Sequence, residues 1–180
     1  MENVIEIENL TKNYGKHRGV EDVSFQVEEG DIFGFLGPNG AGKSTTIRSM
    51  LGLIRFQRGS IRILGRDIRR DRQAILEEVG YMPSEAMFYP AMKVKEMIQM
   101  AADVRGKDCR KEAEKLCQRL QMDIDKKISD LSLGNRKKVG IVCAMQHRPK
   151  LFVFDEPTSG LDPLMQSEFF KLIQEYVAEG

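Results

Sequence analysis

The sequence predicts an α/β fold, in which a mostly parallel sheet carries helices and is joined to an antiparallel β segment and a helical insert. Apolar and polar residues alternate over 4–8 and 23–27, as half-buried antiparallel strands require. Residues 31–36 and 150–154 are short and mostly apolar, which is typical of strands buried on both faces. The stretch between those two segments carries apolar residues at helical spacing.

The remaining elements follow the same two periodicities. The pattern predicts strands over 60–64 and 78–82, and helices over 42–53, 94–104, 110–121, 131–145 and 164–178. Ser132 is placed to cap the helix that follows it, and Gly180 is expected to end the last helix.

Composition and charge exclude several classes of protein. With 180 residues, the chain is long enough for one domain with a sizeable core. Lys and Arg number 28 against 27 Asp and Glu, so the net charge of +1 disfavours a nucleic-acid partner. No apolar run approaches the ~20 residues of a membrane helix, and residues 1–4 lack the layout of a signal peptide. These features predict a cytoplasmic protein.

The cysteines and histidines do not form a metal-binding pattern. Cys109, Cys117 and Cys143 are odd in number and lack a CxxC spacing, so we expect reduced thiols that are buried or half-buried. His17 and His147 have no further ligands at metal spacing, and we expect both on the surface.

A glycine-rich segment, residues 37–44, has the pattern GxxxxGKS between a predicted strand and a predicted helix. Glycines let successive backbone N–H groups point at phosphate oxygens, and a helix N-terminus adds its positive dipole end. This phosphate loop predicts that Lys43 binds β- and γ-phosphates and that Ser44 binds Mg²⁺. The candidate nucleotide-binding residues are Gly37, Pro38, Asn39, Gly40, Ala41, Gly42, Lys43, Ser44 and Thr45. The alternative, a glycine-rich turn that fits by accident, is disfavoured by the strand–loop–helix context.

An acidic pair, Asp155 and Glu156, ends the second buried strand. Carboxylates at such a position indicate that a positive group approaches them. We expect Asp155 to hold Mg²⁺ through water, and Glu156 to polarise the attacking water in a hydrolysis reaction that also uses Lys43. An acidic turn after a strand would explain the pair equally well if the phosphate loop were absent.

Together these motifs resemble the nucleotide-binding domain of ATP-binding cassette (ABC) transporters, with a P-loop NTPase core, and the resemblance covers nearly the whole chain. Residues 131–135, Leu-Ser-Leu-Gly-Asn, match the family's signature segment, and residues 157–162 match the loop after its catalytic glutamate. Tyr14 matches the aromatic residue that stacks on adenine; the alternative for Tyr14 is a loop tyrosine packed on the β segment.

The resemblance implies ATP and Mg²⁺ as ligands and a single ATPase domain over 1–180. Its parts would be 1–30, mainly β; 31–83, the P-loop core; 84–148, the helical insert with the signature; and 149–180, the Walker B region. Ser132, Gly134 and Asn135 would contact the γ-phosphate held by a second nucleotide-binding subunit, and Asp162 would touch that subunit. Separately encoded membrane-spanning subunits are the other implied partners, which would place the protein peripherally on the inner face of the cell membrane.

The sequence also departs from the family's pattern. Leu133 stands where the family usually has glycine, and we expect it to face the helical core. Asn135 replaces a frequent glutamine, and Ser84 is too short to reach Mg²⁺ as the family's glutamine does, although Glu85 is adjacent. The family continues after the last helix into a strand and a loop that bears a switch histidine, and neither His17 nor His147 occupies that place. We therefore expect a C-terminally truncated domain in which 32–36 and 150–154 each lose a strand partner.

Two softer features allow more than one interpretation. A cluster of soft side chains is either a docking surface for a membrane subunit or core of the insert. Its members are Met82, Met87, Phe88, Tyr89 and Met92. The basic residues 136–138 either raise the local potential for phosphate or are exposed helix.

Three functions remain open from sequence. The first is an ATPase subunit that powers a membrane transporter, with export favoured over import by the segments 79–90 and 131–135. The second is a cassette ATPase that acts on nucleic acid or ribosomes, which the balanced charge disfavours. The third is a nucleotide-binding module without turnover, as truncation would produce.

Overall fold

The computed structural model describes residues 2–15, 17–85 and 87–179, with the backbone alone at residues 17 and 18. The described chain divides into two compact units, one ending at Glu78 and the other formed by Val79–Glu179. The predictions for the His17 side chain and for Gly180 lie outside the described residues.

The first unit contains a four-stranded antiparallel sheet. Its strands are β1 (Asn3–Tyr14), β2 (His17–Glu28), β3 (Arg58–Ile63) and β4 (Arg66–Asp67), in the order β2-β1-β3-β4. Ile5 pairs with Val27 on one side and with Ile63 on the other, so alternate residues of the three long strands share one apolar face. The alternating pattern of the sequence is confirmed, and β1 continues through the predicted polar turn as far as Tyr14.

Two helices complete the first unit. Helix α1 (Lys43–Met50) follows the phosphate loop, and α2 (Arg72–Glu77) is a short helix that the sequence pattern did not predict. Met50 and Leu51 at the end of α1 are buried, as is Ile75 on α2. These apolar side chains, together with the inner face of the sheet, form the buried part of this unit.

The predicted strand over 31–36 is wrong. Among the described residues this segment has no strand partner, and its backbone is irregular. Phe33 stacks on Phe25 of β2 with ring centroids 5.3 Å apart, while Leu36 is 92% exposed. The physical reason is that an apolar run becomes a strand only when a neighbouring strand satisfies its N–H and C=O groups.

The second unit is built on two parallel strands, β5 (Val79–Met82) and β6 (Leu151–Phe154), paired in register from Val79–Leu151 to Met82–Phe154. Four helices accompany them: α3 (Val94–Arg105), α4 (Arg110–Arg119), α5 (Leu133–Met145) and α6 (Pro163–Glu179). A 3-10 turn, Ile128–Asp130, precedes α5. These helices and strands confirm the predicted elements of this half, with ends shifted by a few residues.

Helix α5 lies close against the parallel pair. A Cβ on Gly80 would lie 2.1 Å from the backbone oxygen of Ala144, so β5 and α5 approach more closely than any other residue type allows. Phe154 meets Phe169 of α6 edge to face at 5.1 Å. The first contact fixes β5 against α5, and the second fixes the end of β6 against α6.

Side-chain burial corrects one prediction, excludes one of the alternatives for residues 136–138, and splits the cluster of soft side chains into a buried and an exposed part. His147 is buried rather than on the surface, because it lies two residues beyond the end of α5, a helix whose inner face is the core of the unit. Lys137 and Lys138 are also buried, which rules out an exposed basic run at these two positions. Within the cluster of soft side chains, Met82 is core and Phe88 and Met92 pack against it, whereas Met87 and Tyr89 are exposed.

The cysteines behave as predicted. Cys109 and Cys117 are buried, Cys143 is half-buried, and all three are free thiols. Within the described ranges no helix has the length and apolar character to cross a membrane.

Candidate functional site

The phosphate loop depends on glycine at two of its positions. Gly40 and Gly42 have φ values of 81° and 90°, in the left-handed region that side chains rarely adopt. A Cβ on Gly42 would also lie 2.2 Å from Cγ1 of Val20 on β2. The loop therefore packs on the antiparallel sheet, and Gly42 is the residue from which α1 begins.

Lys43 reaches back across the loop. Its Nζ donates hydrogen bonds to the backbone oxygens of Gly37 at 2.7 Å and Pro38 at 3.0 Å, and the amide of Ala41 donates to Pro38 at 3.1 Å. The ammonium group is thus held over the loop that precedes α1. A phosphate at this point would meet the ammonium, the loop amides and the positive end of the helix dipole together.

Beside the loop lies a groove of about 510 Å³. Its lining residues come from β1, β2 and the phosphate loop: Asn13, Gly19, Val20, Glu21, Val23, Pro38, Asn39, Gly40 and Ala41. Tyr14, which follows Asn13, is exposed, and Nζ of Lys12 lies 4.9 Å from the centroid of its ring. Ser44 and Thr45 are half-buried at the start of α1.

Asp155 lies at the end of β6 in the second unit. Its amide donates to the backbone oxygen of Met82 at 2.9 Å, which extends the parallel pairing by one step. The side chain is 3% exposed, and its Oδ2 has no hydrogen-bond partner among the described residues. An unpaired buried carboxylate oxygen is costly, so this atom fits a water-bound divalent cation as its partner.

Glu156 turns the chain away from β6. Its φ of 53° is left-handed, and its side chain is exposed. Its backbone oxygen accepts hydrogen bonds from Nζ of Lys137 at 3.2 Å and from the amide of Ser159 at 3.3 Å. The exposed carboxylate can therefore act on a water molecule, while the backbone that carries it is tied to α5.

The signature segment forms the start of α5. The Oγ of Ser132 accepts a hydrogen bond from the amide of Asn135 at 3.3 Å, which confirms the predicted cap. Leu133 is 54% exposed, so the expectation that it faces the helical core is wrong. Its side chain lies over Gly160 instead, with Cγ 3.0 Å from the position of a Cβ there.

Asp162 begins the last helix. Its Oδ1 accepts a hydrogen bond from the amide of Met165 at 3.0 Å, the usual geometry of an N-terminal cap. Gly134 and Gly160 touch just before it, since a Cβ on Gly134 would lie 2.3 Å from the oxygen of Gly160. The signature segment and the loop after Glu156 are therefore in direct contact within this unit.

The contacts of Lys137 were not predicted from the sequence, which offered only a raised phosphate potential or an exposed helix for residues 136–138. The Nζ of Lys137 donates to the backbone oxygens of Ser84 and Glu156, so the two segments that follow β5 and β6 meet at one amine. The available signal was its position four residues before Ile141, on the inward face of α5. Comparison with the family's pattern concerned the short side chain of Ser84, whereas Lys137 binds the backbone oxygen of Ser84.

Comparison with known proteins identifies the family. The family model described as ABC transporter matches residues 20–159, which include the phosphate loop, the signature segment and the acidic pair. The chain belongs to the ABC transporter family. Cassettes of this family bind ATP.

Named ABC relatives match along nearly the whole chain. This chain is 36% identical over 181 residues to the bacitracin transport ATP-binding protein of Bacillus licheniformis, and the match covers 99% of this chain and 59% of that protein. It is 35% identical over 184 residues to a probable multidrug ABC transporter ATP-binding protein of Escherichia coli (strain K12), covering 99% of this chain and 32% of that protein. The chain thus spans 59% and 32% of the length of these two relatives.

Solved ABC structures confirm the predicted fold class. An ATP-binding subunit of an ABC transporter has a TM-score of 0.90 and 30% identity, covering 98% of this chain and 76% of that chain. A dimeric bacterial ABC transporter cassette shares the fold with a TM-score of 0.87 at 21% identity, covering 97% and 83%.

Proposed function

We propose that this chain is the nucleotide-hydrolysing part of a subunit that powers transport, and specifically export, by a membrane transporter. The observation that carries the proposal is the start of α5, where a serine-capped helix N-terminus is exposed next to the loop that follows Glu156. Such an end offers free N–H groups and a positive dipole to an anion from outside the chain. The names of the relatives, a bacitracin transporter and a probable multidrug transporter, support export.

In this proposal the phosphate loop binds ATP. Lys43 and the backbone N–H groups of residue 37 and residues 39–45 contact the β- and γ-phosphates, while Pro38, which has no N–H, shapes the loop. Tyr14 stacks on the adenine. Asp155 and Ser44 would hold Mg²⁺, which when bound neutralises phosphate charge. Glu156 accepts a hydrogen bond from the attacking water and orients it toward the γ-phosphorus.

A second nucleotide-binding subunit is the expected partner in hydrolysis. Ser132, Gly134 and Asn135 of one subunit would cover the γ-phosphate bound by the other, and Asp162 would lie at the same interface. ATP then stabilises the dimer and its hydrolysis releases it, so the closing motion can bias a membrane-spanning partner between two states. The protein would act at the inner face of the cell membrane, bound to separately encoded membrane subunits.

The experiment is phosphate release by the full-length protein with Mg-ATP, in the wild type and in Glu156→Gln. Loss of the general base lowers turnover by about 10²- to 10⁴-fold, while ATP still binds, so the variant should accumulate as an ATP-bound dimer in size-exclusion chromatography. Glu114→Gln is the matched control, because this acid is exposed on α4. Equal turnover in Glu156→Gln and wild type would overturn the assignment, and nucleotide binding without turnover in the wild type would favour a non-catalytic module.

A further inference from the structure

Lys137 is a buried cation, and its hydrogen-bond partners among the described residues are two backbone oxygens. It is 5% exposed, and its Nζ donates to the oxygen of Ser84 and, at 3.2 Å, to the oxygen of Glu156. Ser84 lies two residues beyond β5 and Glu156 two residues beyond β6. A buried ammonium group needs such acceptors, because an unpaired buried charge is strongly unfavourable. The two hydrogen bonds of Lys137 therefore connect α5 to the segments that follow the two parallel strands.

The acceptor on Glu156 lies at a strained point of the backbone. A non-glycine residue with φ of 53° costs about 1–2 kcal/mol and persists where its surroundings hold it in place. Its carbonyl is held by Lys137 and by the amide of Ser159 at 3.3 Å. The direction of the Glu156 side chain follows from this backbone conformation, since φ and ψ fix the Cα–Cβ bond.

We propose that Lys137 is a positioning residue for ATP hydrolysis: by donating to the Glu156 carbonyl, it holds the Glu156 carboxylate in its working direction. This inference rests on the proposed function, in which Glu156 polarises the attacking water. Lys137 acts through the backbone of Glu156. The amine of Lys137 also donates to the backbone oxygen of Ser84. A displacement of the segment around Ser84 would therefore alter the hydrogen bond between Lys137 and Glu156.

The role requires a hydrogen-bond donor of sufficient length rather than a charge alone. Lys137→Met has a similar length and no donor, whereas Lys137→Arg keeps donors and charge, and Lys137→Gln keeps a neutral donor on a shorter chain. Lys138→Met is the matched control, because Lys138 is 9% exposed, on the same helix. Each variant is made in the full-length protein.

Two readouts test the proposal. In steady-state hydrolysis, Lys137→Met should lower kcat about tenfold or more, since a small misplacement of a catalytic group has effects of this size, while KM for ATP changes by less than about twofold. In hydrogen–deuterium exchange, peptides covering residues 156–161 should exchange faster in Lys137→Met than in wild type. Lys137→Arg should recover part of kcat, Lys137→Gln should recover less because its donor is closer to the backbone, and Lys138→Met should match the wild type.

The outcomes separate this proposal from the proposed function. If the wild type does not hydrolyse ATP, the proposed function fails, and exchange over 156–161 still decides whether Lys137 holds the turn. If the wild type is active and Lys137→Met matches it in kcat and exchange, the positioning role is overturned. The role is also overturned if kcat is unchanged and the loss of kcat/KM comes entirely from a higher KM for ATP. Equal losses of kcat in Lys137→Met and Lys137→Arg, which keeps donors of sufficient length, would overturn it as well. If Lys137→Met does not fold, the comparison of Lys137→Gln and Lys137→Arg with Lys138→Met carries the same test.

Discussion

Gly134 lies so close to the backbone oxygen of Gly160 that a Cβ on residue 134 would be 2.3 Å from it. This contact joins the start of α5 to the loop that follows Glu156. Because the obstacle is backbone rather than a flexible side chain, one of the two segments must move when a side chain is added.

Gly134→Ala should therefore destabilise the protein by about 1–3 kcal/mol, the usual range for overpacking. The measurement is urea unfolding of the variant and the wild type. Gly34→Ala is the control, because no described residue has an atom within 4 Å of a Cβ at that position. If Gly134→Ala unfolded at the same urea concentration as Gly34→Ala, the close approach of α5 to the loop would be wrong.

Gly42→Ala should abolish ATP binding by distorting the phosphate loop. The new methyl group would meet Cγ1 of Val20 at 2.2 Å, and alanine disfavours the φ of 90° found there. The check is equilibrium binding of a fluorescent ATP analogue, again with Gly34→Ala as the control. Binding retained within about twofold would contradict the geometry described for this loop.

His147 should make stability depend on pH below neutrality. Burial lowers the pKa of His147 to about 4 from 6.5, and the positive charge of Arg105 acts in the same direction. The folded state therefore favours neutral imidazole, while the unfolded chain takes up a proton near pH 6.5. Stability is full above pH 6.5 and falls by about 1.4 kcal/mol per pH unit between pH 6.5 and 4 on account of this group.

The measurement for His147 is the free energy of unfolding of wild type and His147→Asn across that pH range. Carboxylates titrate in both proteins, so the difference between the two curves isolates the imidazole. The difference in unfolding free energy between the two proteins should change with pH between pH 6.5 and pH 4, and should become constant below pH 4. A difference independent of pH would mean that His147 is not buried as described.

Tyr176→Phe should weaken the attachment of α6 to α4. The Tyr176 hydroxyl donates to Glu112, whose other oxygen accepts a hydrogen bond from Arg148 at 2.9 Å. Loss of a hydrogen bond to a charged group costs about 1.5–3 kcal/mol, which thermal unfolding would register as a lower Tm. Tyr89→Phe, at an exposed position, serves as the comparison and should leave the Tm unchanged. Equal Tm values for the two variants would contradict the role of Glu112 as an acceptor.

The sequence predicted the elements whose signals are local. The alternation in β1 and β2, the helical spacing in α3 to α6 and the cap at Ser132 all follow from short-range rules. The phosphate loop and the acidic pair were also found from sequence, because their chemistry is carried by adjacent residues.

The errors arose where a distant partner decides the outcome. Residues 31–36 are apolar enough for a strand, but a strand forms only where another strand supplies hydrogen bonds. Leu133 is apolar and yet exposed, because the glycine at 160 offers its side chain a surface outside the core. Lys137 and His147 are polar and yet buried. Backbone oxygens of distant segments accept hydrogen bonds from Lys137, and helix packing in the second unit covers His147. The spacing of apolar residues along the sequence does not reveal such contacts.

The most direct test of the account is a thermal melt of the full-length protein with and without Mg-ATP, in the wild type and in Lys43→Ala. At 100 times its dissociation constant, a ligand that binds the folded state adds about 2.7 kcal/mol, which raises the Tm of a domain of this size by about 5–10 °C. We predict this shift in the wild type and its loss in Lys43→Ala. An unchanged Tm in the wild type, or an equal shift in both proteins, would contradict the claim that the phosphate loop binds ATP through Lys43.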